Sequence, residues 1–223
     1  MKIGDSVKVN AGVLEPDTEK FEIGGWQGRI VEIDTVTTGD GTLLNIEWDV
    51  ITLNQIPAEY IIQSEVEGLG WDLMVLFESD VVKTEPRDTV SDVKKMQGEL
   101  MEKYYWSHLG EEGQRIAAVL EGTDRNEEMA SFYAWNNYME KNLTFPFQAV
   151  VMEAEANTWV KEGTELMVNS LSNVDEVDGI LIDVTLNGEK SDFMLCDVEP
   201  IDKKSANFQF INDYSVWFAN MCY

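Results

Sequence analysis

The hydrophobic period of this chain changes twice, and that limits its fold more than any other feature. Through residues 1–86 β-branched and other apolar residues alternate with polar ones; through 87–142 they recur about every 3.6 positions; from 143 the alternation returns. This order predicts an α+β fold, with two strand regions separated by a helical segment, rather than a repeating strand–helix sheet.

Within 1–86, Val7 and Val9 alternate with polar partners, and the turn Gly24-Gly25-Trp26-Gln27-Gly28 feeds the β-branched run at 29–34. Thr38-Gly39-Asp40-Gly41 reads as a tight hairpin turn, followed by a strand at 43–50. Residues 57–62 read as a single 3₁₀ turn before a last strand at 71–77. Several short strands with glycine-rich turns predict a small SH3-like barrel.

In 87–142, Val93, Met96, Leu100, Met101 and Tyr104 mark a helix with Ser91 as its N-cap. Ile116, Ala117, Val119 and Leu120 mark a second that stops near Gly122. Met129, Phe132, Tyr133, Trp135 and Tyr138 mark a third, capped by Asp124, with Glu127 and Glu128 in the first turn, where the helix dipole favours them. These aromatics read as core rather than as a ligand box. From 143 to 223, strands are expected at 145–155, 165–168, 179–186 and 193–198, then a short helix at 212–221 with Tyr214, Trp217 and Phe218 on one side. The segments around Ile3–Asn10 and 161–169, and around 26–33 and 178–184, look alike, so the prediction is two SH3-like modules, 1–86 and 143–223, separated by helices at 87–142.

Charge bounds the partners. The chain carries 42 Asp plus Glu against 16 Lys plus Arg, a formal net charge of -26. Nucleic-acid phosphate and anionic lipid are repelled by such a surface, whereas cations and basic proteins are attracted. Acidic and basic residues number 17 and 5 in 1–86, 11 and 7 in 87–142, and 14 and 4 in 143–223, so the acid follows the strand regions. Lys2-Ile3-Gly4-Asp5 opens no apolar signal core, and no apolar run approaches the roughly 18–20 residues of a membrane span, which gives a cytoplasmic expectation. Cys196 and Cys222 lack CxxC spacing and read as free thiols.

The sequence offers no GxSxG elbow, P-loop, GxGxxG or HExxH, and His108 is its one histidine, so no catalytic residue can be named and a non-enzymatic protein is expected. Zinc would need more Cys and His. Calcium takes oxygen ligands from carboxylates, amides, backbone carbonyls and water. The densest oxygen cluster is Asn173, Asp175, Glu176 and Asp178, just before Gly179, with Glu153, Glu155 and Glu162 approaching from neighbouring strands. It departs from the EF-hand pattern, because Val177 stands where an oxygen ligand is required and no Glu closes the loop. A second cluster is Glu15, Asp17, Glu19 and Glu22. For each, the plain alternative is a solvated hairpin face.

The stretch Trp135-Asn136-Asn137-Tyr138-Met139-Glu140-Lys141-Asn142-Leu143-Thr144-Phe145-Pro146-Phe147-Gln148-Ala149, with Cys196-Asp197-Val198-Glu199-Pro200 and Asn212 through Asn220, resembles the CcbP-type calcium-binding family across about residues 125–220. The resemblance implies a small acidic SH3-like module that binds Ca2+ without an EF-hand. The leading expectation is a calcium-binding protein using carboxylate-rich loops of its C-terminal module. The alternative is an acidic interaction module that binds a basic protein or mimics DNA.

Overall fold

The computed structural model describes residues 1–35, 41–124, 127–154 and 160–221. Contacts divide the chain into two units, Met1–Gly110 and Glu111–Tyr223. Among the described residues they hold two five-stranded antiparallel sheets and six α-helices.

The first unit contains β1 (Ser6–Val9), β2 (Gln27–Thr35), β3 (Thr42–Trp48), α1 (Val50–Gln55), α2 (Ala58–Glu67), β4 (Leu73–Phe77), β5 (Val81–Thr84) and α3 (Val90–Lys103). Its sheet order is β4-β3-β2-β1-β5. A bulge falls in β2 between Ile30 and Glu32, where the extra residue bends the strand. The inward residues Val7, Val9, Ile30, Leu44, Ile46, Trp48, Met74 and Leu76 form the core with Leu53, Tyr60, Ile61 and Val93 from the helices.

Residues 58–62 belong to the ten-residue helix α2, with Pro57 at its N-cap, and not to a 3₁₀ turn. Tyr60, Ile61 and Ser64 are buried on its inner side, a helical spacing. A 3₁₀ turn lies instead at Glu78–Asp80, immediately before the fifth strand. Asp49, expected inside a strand, caps α1 by accepting from the Thr52 amide at 2.8 Å. Thr89, not Ser91, caps α3, and Asp92 completes a capping box with it. Of the expected turn at 38–41, residues 38–40 lie outside the described residues.

The second unit contains α4 (Glu111–Val119), α5 (Glu128–Asn142), β6 (Phe147–Val151), β7 (Glu165–Asp175), β8 (Gly179–Leu186), β9 (Glu189–Met194), β10 (Val198–Pro200) and α6 (Ala206–Asn220). Of the helices expected at 87–142, α3 therefore falls in the first unit, and α4 and α5 in the second. The N-cap of α5 is Glu127, without a side-chain cap; Asp124 contributes its carbonyl to the Glu127 amide at 3.0 Å. Sheet order is β10-β6-β7-β8-β9, and a 3₁₀ turn at Leu195–Asp197 again precedes the last strand. The expected strand at 193–198 is thus the end of β9, this turn and the start of β10. Phe132, Trp135 and Met139 of α5 and Ile211, Tyr214 and Trp217 of α6 are buried with Val168, Ile180, Ile182 and Val184. Arg115 of α4 makes a two-pronged ion pair with the buried Asp213 of α6, at 2.6 and 2.8 Å.

The two sheets share one strand order, but the sequence match between them is one strand out of step. Strand β1 corresponds in order to β6, whereas 161–169 is the turn into β7 and the start of β7. What recurs is the turn: Gly4 and Gly163 both adopt positive φ, 89° and 80°, just ahead of an alternating strand. Both sheets are open, since neither pair of edge strands is hydrogen-bonded together among the described residues. The expected closure into barrels is not present in the pairing.

Candidate functional site

Strand β7 runs on to Asp175, so Asn173 and Asp175 are strand residues, and only Glu176–Asp178 form the turn into β8. The turn is tightly specified. Asp175 Oδ1 accepts from the Val177 amide at 2.7 Å and the Asp178 amide at 3.0 Å, which holds the Asp175 carboxyl below the usual carboxylate range. Gly179 follows at φ 68°, and a Cβ there would collide with the Tyr214 hydroxyl and with Phe132 and Phe218. The Tyr214 hydroxyl accepts from the Ile180 amide at 2.9 Å, so α6 pins the start of β8 from below. Burial raises the Tyr214 pKa and keeps the phenol neutral. Asn173, Glu176 and Asp178 stay exposed on this fixed base, and Val177 is 80% exposed at the tip.

Glu162 lies at the other end of β7. It sits in the turn Lys161–Thr164, closed by the Thr164 amide donating to Lys161 O at 3.0 Å, and the eleven residues of β7 separate this turn from the one at Glu176–Asp178. At about 3.3 Å per strand residue the two ends of β7 cannot share one ion. Glu153 belongs with Glu162: the Val151 amide donates to Thr164 O, and the Met152 amide to Asp197 O at 2.8 Å, so residues 153, 162 and 197 gather at one margin of the sheet. Glu155 lies outside the described residues. The six described candidate residues therefore divide into a hairpin group, Asn173, Asp175, Glu176 and Asp178, and a margin group, Glu153 and Glu162.

Sequence reading missed a further acidic pair. Asp183 of β8 and Asp192 of β9 stand directly opposite in the ladder, and they accept from the Ser170 and Ser172 hydroxyls of β7 at 2.7 and 2.8 Å. Nine positions separate them in sequence, so only the register reveals the pair. Among the described residues no three Asp, Glu, His or Cys side chains converge closely enough to hold a metal ion. The donors have calcium's chemistry without a preformed carboxylate cage.

The cluster in the first unit is spent on its own loop. Glu15 is fully buried, and its carboxylate accepts from the amides of Asp17, Thr18 and Lys20 and from the Thr18 hydroxyl. Burial pushes its pKa up, but these donors outweigh it and hold the carboxyl below its ordinary value. Glu22 Oε1 accepts from the Gly12 amide at 3.0 Å. Burial, with the Glu15 charge, pushes the neighbouring Tyr60 up to about 12.

Elsewhere, His108 is exposed, with its Nδ1 2.9 Å from Tyr105 O. Cys196 is a free, half-buried thiol whose pKa burial raises, so it is a poor nucleophile; Cys222 lies outside the described residues. Among the described residues no helix is long and apolar enough to cross a membrane.

Residues 115–218 match the family model Calci_bind_CcbP, described as calcium binding. The match spans a little under half the chain, lies wholly inside the second unit and includes all seven candidate residues. No curated protein matches the chain. Among solved structures, the crystal structure of Anabaena CcbP shares 22% identity over 45% of this chain and 81% of its own, with a TM-score of 0.37. A calcium binding protein in the calcium-binding form shares 21% identity over 48% of this chain and 89% of its own, with a TM-score of 0.36.

Proposed function

We propose that the second unit binds calcium, and that the hairpin group Asn173, Asp175, Glu176 and Asp178 is its principal site. The CcbP match over 115–218 carries this reading. The chemistry is compatible: three carboxylates and an amide lie within six residues of a turn whose backbone is held by Asp175, Gly179 and Tyr214. Empty, the exposed carboxylates repel one another; a cation relieves that repulsion and draws them together, with backbone carbonyls and water completing the oxygen shell. Glu153 and Glu162 form a second, separate locus at the opposite end of β7. The sequence order around the site supports a module that is not an EF-hand, and the shared strand order with a 3₁₀ turn before the fifth strand supports an SH3-like reading of both units. Binding of this kind needs no catalytic group.

The test is calorimetric titration of chelator-treated protein with calcium. Binding heat and a raised Tm are expected, with the heat lost in Asp175→Asn/Asp178→Asn and retained in Glu153→Gln/Glu162→Gln. Absence of both heat and Tm change at millimolar calcium overturns the proposal. Loss in the margin variant alone moves the principal site to the other end of β7.

A further inference from the structure

The other sheet offers something different at its edge. Among the described residues strand β4 is an edge strand, paired with β3 alone, and it presents Leu73, Val75 and Phe77 outward at 36%, 40% and 42% exposure while Met74 and Leu76 face the core. The Trp48 amide donates to Asp72 O, so Trp48 and Asp72 form a hydrogen-bonded pair of the ladder. Antiparallel pairs alternate, which makes Met74 and Leu76 the next bonded positions and turns the N–H and C=O groups of Leu73, Val75 and Phe77 away from β3. The three residues with exposed apolar side chains are thus also the three whose backbone groups point off the edge. Natural edge strands are usually blunted by charge, proline or brevity. β4 has none of these along its length.

Charge identifies the occupant. From Ile30 to Val82 the sequence contains eleven Asp and Glu and no Lys, Arg or His, and this run includes β3, α1, α2 and β4. Carboxylates flank the strand at both ends, Asp72 before it and Glu78 after it, the latter holding the Met1 ammonium at 2.7 Å. A second copy docked edge to edge would set this acidic run against itself. We infer that β4 receives an extended peptide segment of a partner protein, apolar at alternate positions and flanked by Lys or Arg, which adds a sixth strand to the sheet. Backbone hydrogen bonds supply affinity, the apolar stripe sets register, and the flanking cations select a basic partner.

The test uses the full chain in chelator, so that calcium plays no part, and a labelled synthetic peptide of alternating valine and threonine with two lysines at each end. Saturable binding by fluorescence anisotropy, weakening as salt rises, is expected. Val75→Pro removes one outward N–H without touching the bonds to β3, and should weaken binding about tenfold or more. Val75→Lys keeps the backbone and repels the peptide, with a similar loss. A peptide N-methylated at alternate residues should not bind the unaltered protein. Equal affinity for the methylated peptide, or for both variants, overturns the inference. So does sedimentation showing a dimer that Val75→Lys disperses, which would assign the edge to a second copy.

Discussion

Two sheets with one strand order are finished in opposite ways. In the first unit the third and fourth strands are joined by α1 and α2, and the fourth strand ends the sheet with an apolar edge; in the second the join is Asn187–Gly188 and the fourth strand, β9, carries Glu189, Lys190 and Asp192. Carboxylates differ in the same sense. Glu15 is turned inward and saturated by its own loop, whereas Glu176 and Asp178 are left in solvent on a turn that other residues hold. A near-equal acidic charge on the two units is thus disposed differently: in the first it fixes a loop, and in the second it stands in solvent on a rigid turn.

The sharpest way to break this comparison is at the turn of the second unit. Gly179→Ala adds a Cβ at positive φ and into Tyr214, so about 4 kcal/mol of stability should be lost from the second unit in urea unfolding, with the first unaffected. Gly188→Ala, at φ 87° with open space around it, should cost only about 1 kcal/mol. An equal loss at both would mean that Tyr214 does not confine the turn.

Next in size, Glu15→Ala strands three amides in the first unit and should cost about 3 kcal/mol. Because the folded pKa of Glu15 is lowered, its contribution is complete above the ordinary carboxylate range and disappears as pH falls through the folded value. Acid unfolding of the first unit, followed by amide exchange in residues 14–22, should therefore be steeper in the parent than in the variant. Tyr214→Phe removes the acceptor for the Ile180 amide and should cost about 1 kcal/mol. Smallest is Asp192→Asn, which relieves the like-charge pair with Asp183 and should stabilise the second unit by about 0.5 kcal/mol in thermal melts without calcium.

The strand regions and β8, at 179–186, could be read from alternation and glycine turns because those signals are local. Helix α2 could not: residues 57–62 read as a 3₁₀ turn, and the burial of Tyr60, Ile61 and Ser64 depends on a sheet made by distant residues. The cap of α3 was misplaced by two positions because Thr89 and Ser91 are chemically alike, and only Asp92 three residues after Thr89 separates them. For the candidate residues, clustering singled out 173–178 but joined them to Glu153 and Glu162, since sequence proximity carries no information about which end of an eleven-residue strand a side chain occupies. The roles of Gly179 and Tyr214 were equally hidden, because 35 positions separate the two partners.

The ion pair between Arg115 and Asp213 sets a timetable for the chain as it is made. All elements of the first unit are complete by Gly110, so that unit can fold while synthesis continues. The second unit needs residues 206–220 to cover its sheet, to place Asp213 against Arg115 and to bring Tyr214 to Ile180. Until that last helix emerges, the hairpin carrying the proposed calcium ligands has no floor beneath it, and the nascent protein is an acidic sheet with one unit folded and one waiting.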